Sequence, residues 1–228
     1  MPKKPTGKVG PFSIGPEGVK LEDIDFPTEK EKIELYVAQQ FVMHPTKEDV
    51  EYFLPKTLRQ NLQDDLDCSV DTKNGKKYLE LMEFAPLRQL GSRHDDVPTQ
   101  HNGGEMTDIF IKEVRKKSEK YKNLTDVFLV TYVTERALNL MPYLRPIKSQ
   151  LNQSQLSLER VYYVSLHGTM GASSLRLYPV DGAVLSRAEE ARWRSITFFT
   201  PRHSDMRVGE SSVEIPIPKN FTNGNGDN

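Results

Sequence analysis

Apolar residues recur along the chain with two different periods, and each change of period marks an element boundary. Ile33, Val37 and Phe41 follow one another at helical spacing behind Thr28 and Glu31, which together read as a capping box. A first helix is therefore expected to run to about Met43. Thr46 and Asp49 offer a second box ahead of Val50, Phe53 and Leu54, and Leu58 and Leu62 carry the stripe past Pro55. That pattern predicts a second helix, kinked at the proline. From Leu66 the period falls to two, and Asn74-Gly75 stands between two alternating runs, a strong hairpin signal. A β-hairpin from Leu66 to Phe84 follows, ended by Pro86.

The residues from Arg88 to Glu105 lack any period and read as a long loop. Met106, Ile109, Phe110, Val114 and Tyr121 then form the apolar stripe of a helix whose other face is basic. Val127 to Val133 is a nearly continuous β-branched and aromatic run, as expected of a central parallel strand buried on both faces. Between 135 and 157, Pro142 and Pro146 interrupt a leucine-bearing helical segment. Strands are expected at Val161 to Leu166, Leu175 to Val180 and Ile196 to Thr200, with a short helix near Ala188 to Trp193. This order of elements predicts an α/β fold with a mixed sheet: an N-terminal helix, an acidic hairpin, then helix and strands.

Composition places these elements in one domain. A chain of 228 residues can bury a single substantial core, here assigned to residues 27–202. Residues 1–26 carry four prolines among glycines and read as a flexible arm, and residues 203–228 as a disordered polar tail. The 31 lysines and arginines nearly balance 32 acidic residues, so no global field draws the chain to nucleic acid and any such contact must come from a local patch. Cys68 is the only cysteine, which excludes an intramolecular disulfide and a cysteine-rich zinc site and suits a cytoplasmic, reducing compartment. No apolar run approaches the roughly 18 residues of a membrane span.

The hairpin carries the candidate chemistry. With Asn74 and Gly75 as a two-residue turn, Lys73 pairs with Lys76, Asp71 with Tyr78, Ser69 with Glu80 and Asp67 with Met82. Cys68, Val70, Leu79 and Leu81 then share an apolar face, while Asp67, Ser69, Asp71, Tyr78, Glu80 and Met82 share the other. Asp67 and Glu80 become diagonal neighbours, near enough for two carboxylates to share a hard cation such as Mg²⁺. The alternative is an ordinary solvated hairpin face that needs no ligand.

Helix, hairpin, helix and buried strand is also the element order of the PD-(D/E)XK nuclease-like core, and the chain resembles that restriction-endonuclease-like family over about Thr28 to Val133. The resemblance implies a Mg²⁺-dependent phosphodiesterase with Asp67 and Glu80 as metal ligands and catalytic residues, and Glu34 of the first helix as an auxiliary. Met82 stands where the family has its motif lysine. Lys77, Arg88 or a lysine of the later helix could replace it. A relative that has lost activity, acting as a binding or regulatory module on the same scaffold, is the competing expectation. Nucleic acid, if bound, would meet the basic helix face through Lys112, Arg115, Lys116 and Lys117, although Glu113 and Glu119 interleave with them. His94, Asp95, Asp96 and His101 crowd the long loop and offer a weaker metal-ligating set. No nucleotide-binding glycine motif and no nucleophile elbow is present.

Overall fold

The computed structural model describes residues 12–15, 18–21, 24, 26–50, 52–61, 65–93, 96–167, 171–182, 184–201, 207–208 and 213–214. In chain order the elements are β1 (Phe12–Gly15), β2 (Gly18–Leu21), α1 (Lys30–Met43), β3 (Arg59–Gln60), β4 (Cys68–Thr72), β5 (Gly75–Glu83), β6 (Gln100–Asn102), α2 (Gly103–Lys120) and β7 (Val127–Tyr132). They continue as α3 (Leu144–Asn152), β8 (Arg160–Leu166), β9 (Ala172–Tyr178), α4 (Arg187–Ser195), β10 (Thr197–Phe199), β11 (Arg207–Val208) and β12 (Val213–Glu214). A six-stranded mixed sheet in the order β3-β4-β5-β7-β8-β9 organises the molecule. Strands β5, β7 and β8 run parallel, and β3, β4 and β9 join by antiparallel pairing.

Helices cover both faces of this sheet, as parallel strands require. On one face Val37, Ala38 and Phe41 of α1 meet Cys68, Val70, Leu79 and Leu81 of the hairpin, with Phe128 and Val130 beneath. On the other face Met106, Phe110 and Val114 of α2 and Ile147 and Leu151 of α3 pack on Met82, Leu129, Val161 and Leu177. Every residue of β7 is buried, because alternate side chains enter opposite cores. Burying one such side chain contributes about 1.5–3 kcal/mol. The continuous apolar run of β7 is thus the sequence trace of a three-layer arrangement.

The hairpin turn sits one residue earlier than expected, which moves every cross-strand partner by two positions. Thr72 pairs with Gly75, Ser69 with Tyr78 and Cys68 with Leu79, so Lys73 and Asn74 make the turn in place of Asn74 and Gly75. Gly75 has φ +99°, whereas neither turn residue has a positive φ. This suits a type I turn followed by a glycine bulge better than the mirror-image turn that Asn-Gly favours. Thr72 locks it: its Oγ1 donates to the Gly75 carbonyl at 2.7 Å and accepts from the Asn74 N–H at 3.2 Å. The division of faces survives, but the face carrying Tyr78, Glu80 and Met82 is not solvated. Helix α2 lies on it.

Among the described residues between Thr46 and Leu62 no second α-helix forms. The described residues make 3-10 turns at Lys47–Asp49 and Pro55–Thr57, then the short β3. The second capping box is recruited elsewhere. Thr46 Oγ1 donates to Asp49 Oδ2 at 2.9 Å, and the same carboxylate takes Arg160 at 2.7 Å, Arg176 at 2.6 Å and the Tyr162 hydroxyl at 2.9 Å. Asp49 is buried, and these bonds pin the turn across β8 and β9. Val50 of the expected stripe points to solvent, while Phe53 is buried and bridges to Thr72.

The first capping box is also absent: Glu29 is the N-cap of α1 and makes no side-chain cap. The expected loop from Arg88 to Glu105 ends in structure, since β6 pairs with β10 and α2 begins at Gly103, three residues before the expected stripe. Asn102 caps α2 by accepting from the N–H groups of Gly104 and Glu105 at 2.9 and 3.1 Å. The broken helix of 135–157 appears as two 3-10 turns and α3. The expected arm and tail fall largely outside the described residues. Within them, β1 pairs with β2, β11 pairs with β12, and Ile24 and Phe26 are buried in the α1 core.

Candidate functional site: an acidic cleft at the end of the parallel strands

Strands β5 and β7 finish at Glu83 and Tyr132, and a cleft of about 380 Å³ opens there between the start of α1 and the middle of α2. Lys30 and Glu34 line it from α1, Glu83 and Tyr132 from the strands, and Glu113 and Lys117 from α2. Clefts beyond the carboxyl ends of parallel strands are the usual place for ligands in open α/β sheets. The apolar face of α1 holds Val37 and Phe41 in the core, which turns Glu34, one turn earlier on that face, toward the cleft floor. Glu34 is 5% exposed and forms an ion pair with Lys30 at 3.1 Å. It is therefore buried rather than extended to water.

Glu80 lies behind this lining on β5, at 3% exposure, under α2. Lys117 donates to Glu80 Oε1, and the Tyr121 hydroxyl sits 2.7 Å from Oε2. That hydroxyl also lies 2.9 Å from the Asp65 carbonyl and accepts from Lys120 at 2.8 Å, so its single proton serves either acceptor in turn. Asp67 directly precedes β4, and continuing the observed register sets it opposite Glu80. Its Oδ2 accepts the Leu81 N–H at 2.7 Å. The two-residue change of pairing thus places the two carboxylates across from one another rather than diagonally.

Three carboxylates from α1, the approach to β4 and β5 consequently share one electrostatic neighbourhood. Burial raises the Glu34 pKa, and the charge of Asp67 adds to it, against the opposing pull of Lys30. Burial likewise raises Asp67 and Glu80 adds to it, with the Leu81 N–H working the other way. The hydrogen bond to Glu34 raises the Lys30 ammonium, against its own burial. Such carboxylate shifts arise first where burial disfavours the charged form, with neighbouring negative charge adding to it.

Other expected residues fall elsewhere. Met82 is buried under α2, and the cation on Glu80 comes from Lys117, the later-helix lysine among the replacements considered. Lys77 is tied to Asp126 at 2.5 Å and Glu159 at 2.8 Å near the opposite end of the strands. Lys112, Arg115 and Lys116 are exposed, but Lys117 faces inward and is engaged with Glu80, which withdraws it from the proposed phosphate-contacting row. His101 is buried in β6 opposite Phe198, and burial lowers its pKa. His94 and Asp95 lie outside the described residues. Sequence pattern assigns Tyr121 only to the apolar stripe and Lys117 only to the basic face, although their spacing of four, with Lys117 three past Val114, sets both beside the stripe of α2.

Oxygen donors of this kind suit a hard cation such as Mg²⁺. Among the described residues, however, no three His, Cys, Asp or Glu side chains stand as a ready ligand set. Both Glu80 oxygens are engaged by protein groups. No described helix is long and apolar enough to cross a membrane. Comparison of the chain with protein-family models, with curated proteins and with solved structures returns no match.

Proposed function

We propose that the chain is a Mg²⁺-dependent phosphodiesterase of the PD-(D/E)XK nuclease-like kind, acting at the acidic cleft. The observation that carries this reading is that Asp67 stands opposite Glu80 in the hairpin, bears electrostatically on Glu34, and has Lys117 engaged on Glu80 beside it. The order of α1, the β4-β5 hairpin, α2 and buried β7 is the helix, hairpin, helix and buried strand on which the resemblance rests, and it supports this reading.

Glu34, Asp67 and Glu80 would have to draw together to hold the ion, which would supply a water of lowered pKa and neutralise phosphate charge. The chain's own groups do the rest. Lys117 neutralises Glu80 while no cation is present, and once released it is the cleft's donor to an anionic oxygen. Tyr121 fixes Glu80 Oε2, and the Leu81 N–H fixes Asp67 Oδ2, so each carboxylate keeps one oxygen oriented. Lys30 at the rim holds Glu34.

The test is cleavage of single-stranded DNA, duplex DNA and RNA with Mg²⁺ or Mn²⁺, comparing the wild type with Glu80→Gln and Asp67→Asn. Each variant is expected to lose activity by about 100-fold or more. Equal activity in wild type and variants rejects the site. A second reading, a noncatalytic binding module, is favoured by one observation: the hydrogen bonds of Glu80 are complete without a cation. It predicts no cleavage and no Mg²⁺-dependent rise in Tm, whereas an ion held by the native state alone raises Tm with its concentration.

A further inference from the structure

The sheet ends on one side in the two-residue β3 and on the other in the seven-residue β9. The His167 N–H donates to the Gly171 carbonyl at 2.8 Å. The alternation of an antiparallel ladder then directs the main-chain groups of Ser173 and Leu175 toward β8, and those of Ala172, Ser174 and Arg176 outward. Among the described residues nothing pairs with that edge. A long free edge of this kind is a template for one more strand.

A cleft of about 810 Å³ follows the same edge. His44 to Glu48, after α1, wall it on one side of the sheet, and Lys148 of α3 with Pro179 to Asp181 wall it on the other. The space therefore straddles the sheet plane where a seventh strand would lie. Two buried polar atoms at this cleft lack hydrogen-bond partners among the described residues: Oγ of Ser174, a residue 8% exposed, and Nε of Arg176. Unpaired buried donors are costly and call for an acceptor.

Charge narrows the occupant. Arg160 and Arg176 share the single carboxylate of Asp49, and Lys47 and Lys148 form no ion pair among the described residues. Within the lining, Glu48 and Asp181 oppose Lys47, Lys148 and Arg176, leaving three cations against two carboxylates. The chain's own ends match poorly, because Pro216 and Pro218 lack an N–H and the N-terminus is basic through Lys3, Lys4 and Lys8. A second copy paired through β9 would add the same excess of cations again. We propose that the free edge of β9 receives an extended acidic peptide from a partner protein as an additional strand of the sheet. Main-chain bonds would give affinity, alternate carboxylates on the α1 face would reach Ser174, Arg176 and Lys47, and Lys148 on the other face would add longer-range attraction. This goes beyond the acidic cleft and does not depend on it.

Fluorescence anisotropy with synthetic octapeptides tests the proposal on the full chain. The probes are an alternating Val/Glu peptide, its Val/Lys counterpart, and the Val/Glu peptide N-methylated at alternate amides. Saturable binding of the first is expected, with the other two at least tenfold weaker. Ser174→Pro removes an outward N–H at an edge position where proline is tolerated, and should weaken binding at least tenfold with an unchanged circular dichroism spectrum. The double variant Lys47→Glu/Lys148→Glu should do the same, and serves if the proline variant does not fold. Absence of saturable binding, or equal binding of the N-methylated peptide, overturns the proposal. A dimer by light scattering that Ser174→Pro dissociates also overturns it, in favour of a second copy.

Discussion

Two buried carboxylates of this protein answer pH in opposite directions. Glu34 is held above the ordinary glutamate range by burial first and Asp67 second, so the native state binds its proton more tightly than the unfolded chain does. The stability this gives is complete below about pH 4 and is lost as pH rises through the raised native pKa. Glu34→Gln stays neutral throughout, so its Tm relative to wild type should improve between pH 4 and pH 7; an unchanged difference would reject the shift. Burial would raise Asp49 as well, but the hydrogen bonds from Arg176, Thr46 and Tyr162 outweigh it and the net shift is downward. Its contribution is present above about pH 4 and is lost as pH falls through the depressed native pKa. Asp49→Ala should therefore cost about 3 kcal/mol or more at pH 7, with the deficit shrinking toward pH 2 in urea titrations. The sequence marked Glu34, Asp67 and Glu80 because residue type and alternation are local. It left Lys117 among the exposed basic residues and read Asp49 as a helix cap, since both are fixed by partners more than thirty residues away.

At the scale of elements, local periodicity foretold α1, the hairpin, α2, β7, α3, β8, β9 and α4, and failed where one side chain's bonds outweigh propensity. Thr72 moved the turn by one residue, and Asp49 with Pro55 prevented the second helix. The start of α2 shows a further constraint. A Cβ on Gly103 would stand 2.5 Å from the Trp193 carbonyl oxygen of α4, and the Gly103 N–H donates to Ile196 at 2.8 Å. The glycine allows α2 and α4 to meet where Trp193 stacks on Phe198 with centroids 5.8 Å apart. Gly103→Ala forces backbone apart and should destabilise by about 1–3 kcal/mol in urea unfolding. A loss below about 0.5 kcal/mol would show that the joint yields freely.

For the molecule as a whole, composition bounded the answer without drawing it. A net charge of -1 says nothing of an acidic cleft at one end of the strands and a basic slot along one edge, because the two cancel in the sum. Strand order was also hidden, being set by pairings such as Tyr78 with Val127 that no local pattern encodes. Both cores close on β7, through Phe128 on one face and Leu129 on the other. Phe128→Ala and Leu129→Ala should each cost about 3–5 kcal/mol. In both, Trp193 fluorescence and far-ultraviolet circular dichroism should follow one urea transition. Separate midpoints would mean that the two layers fold independently.

Cys68 is fully buried on the α1 side of the hairpin, and burial pushes its thiol up to about 12. The thiolate that alkylating reagents require is therefore withheld while β4 stays covered. As the only sulfhydryl in the chain, Cys68 makes a clock for opening of the strand that leads out from Asp67. Iodoacetamide should modify the native protein no faster than the hairpin detaches from α1. Any ion that draws Glu34, Asp67 and Glu80 together should slow that clock.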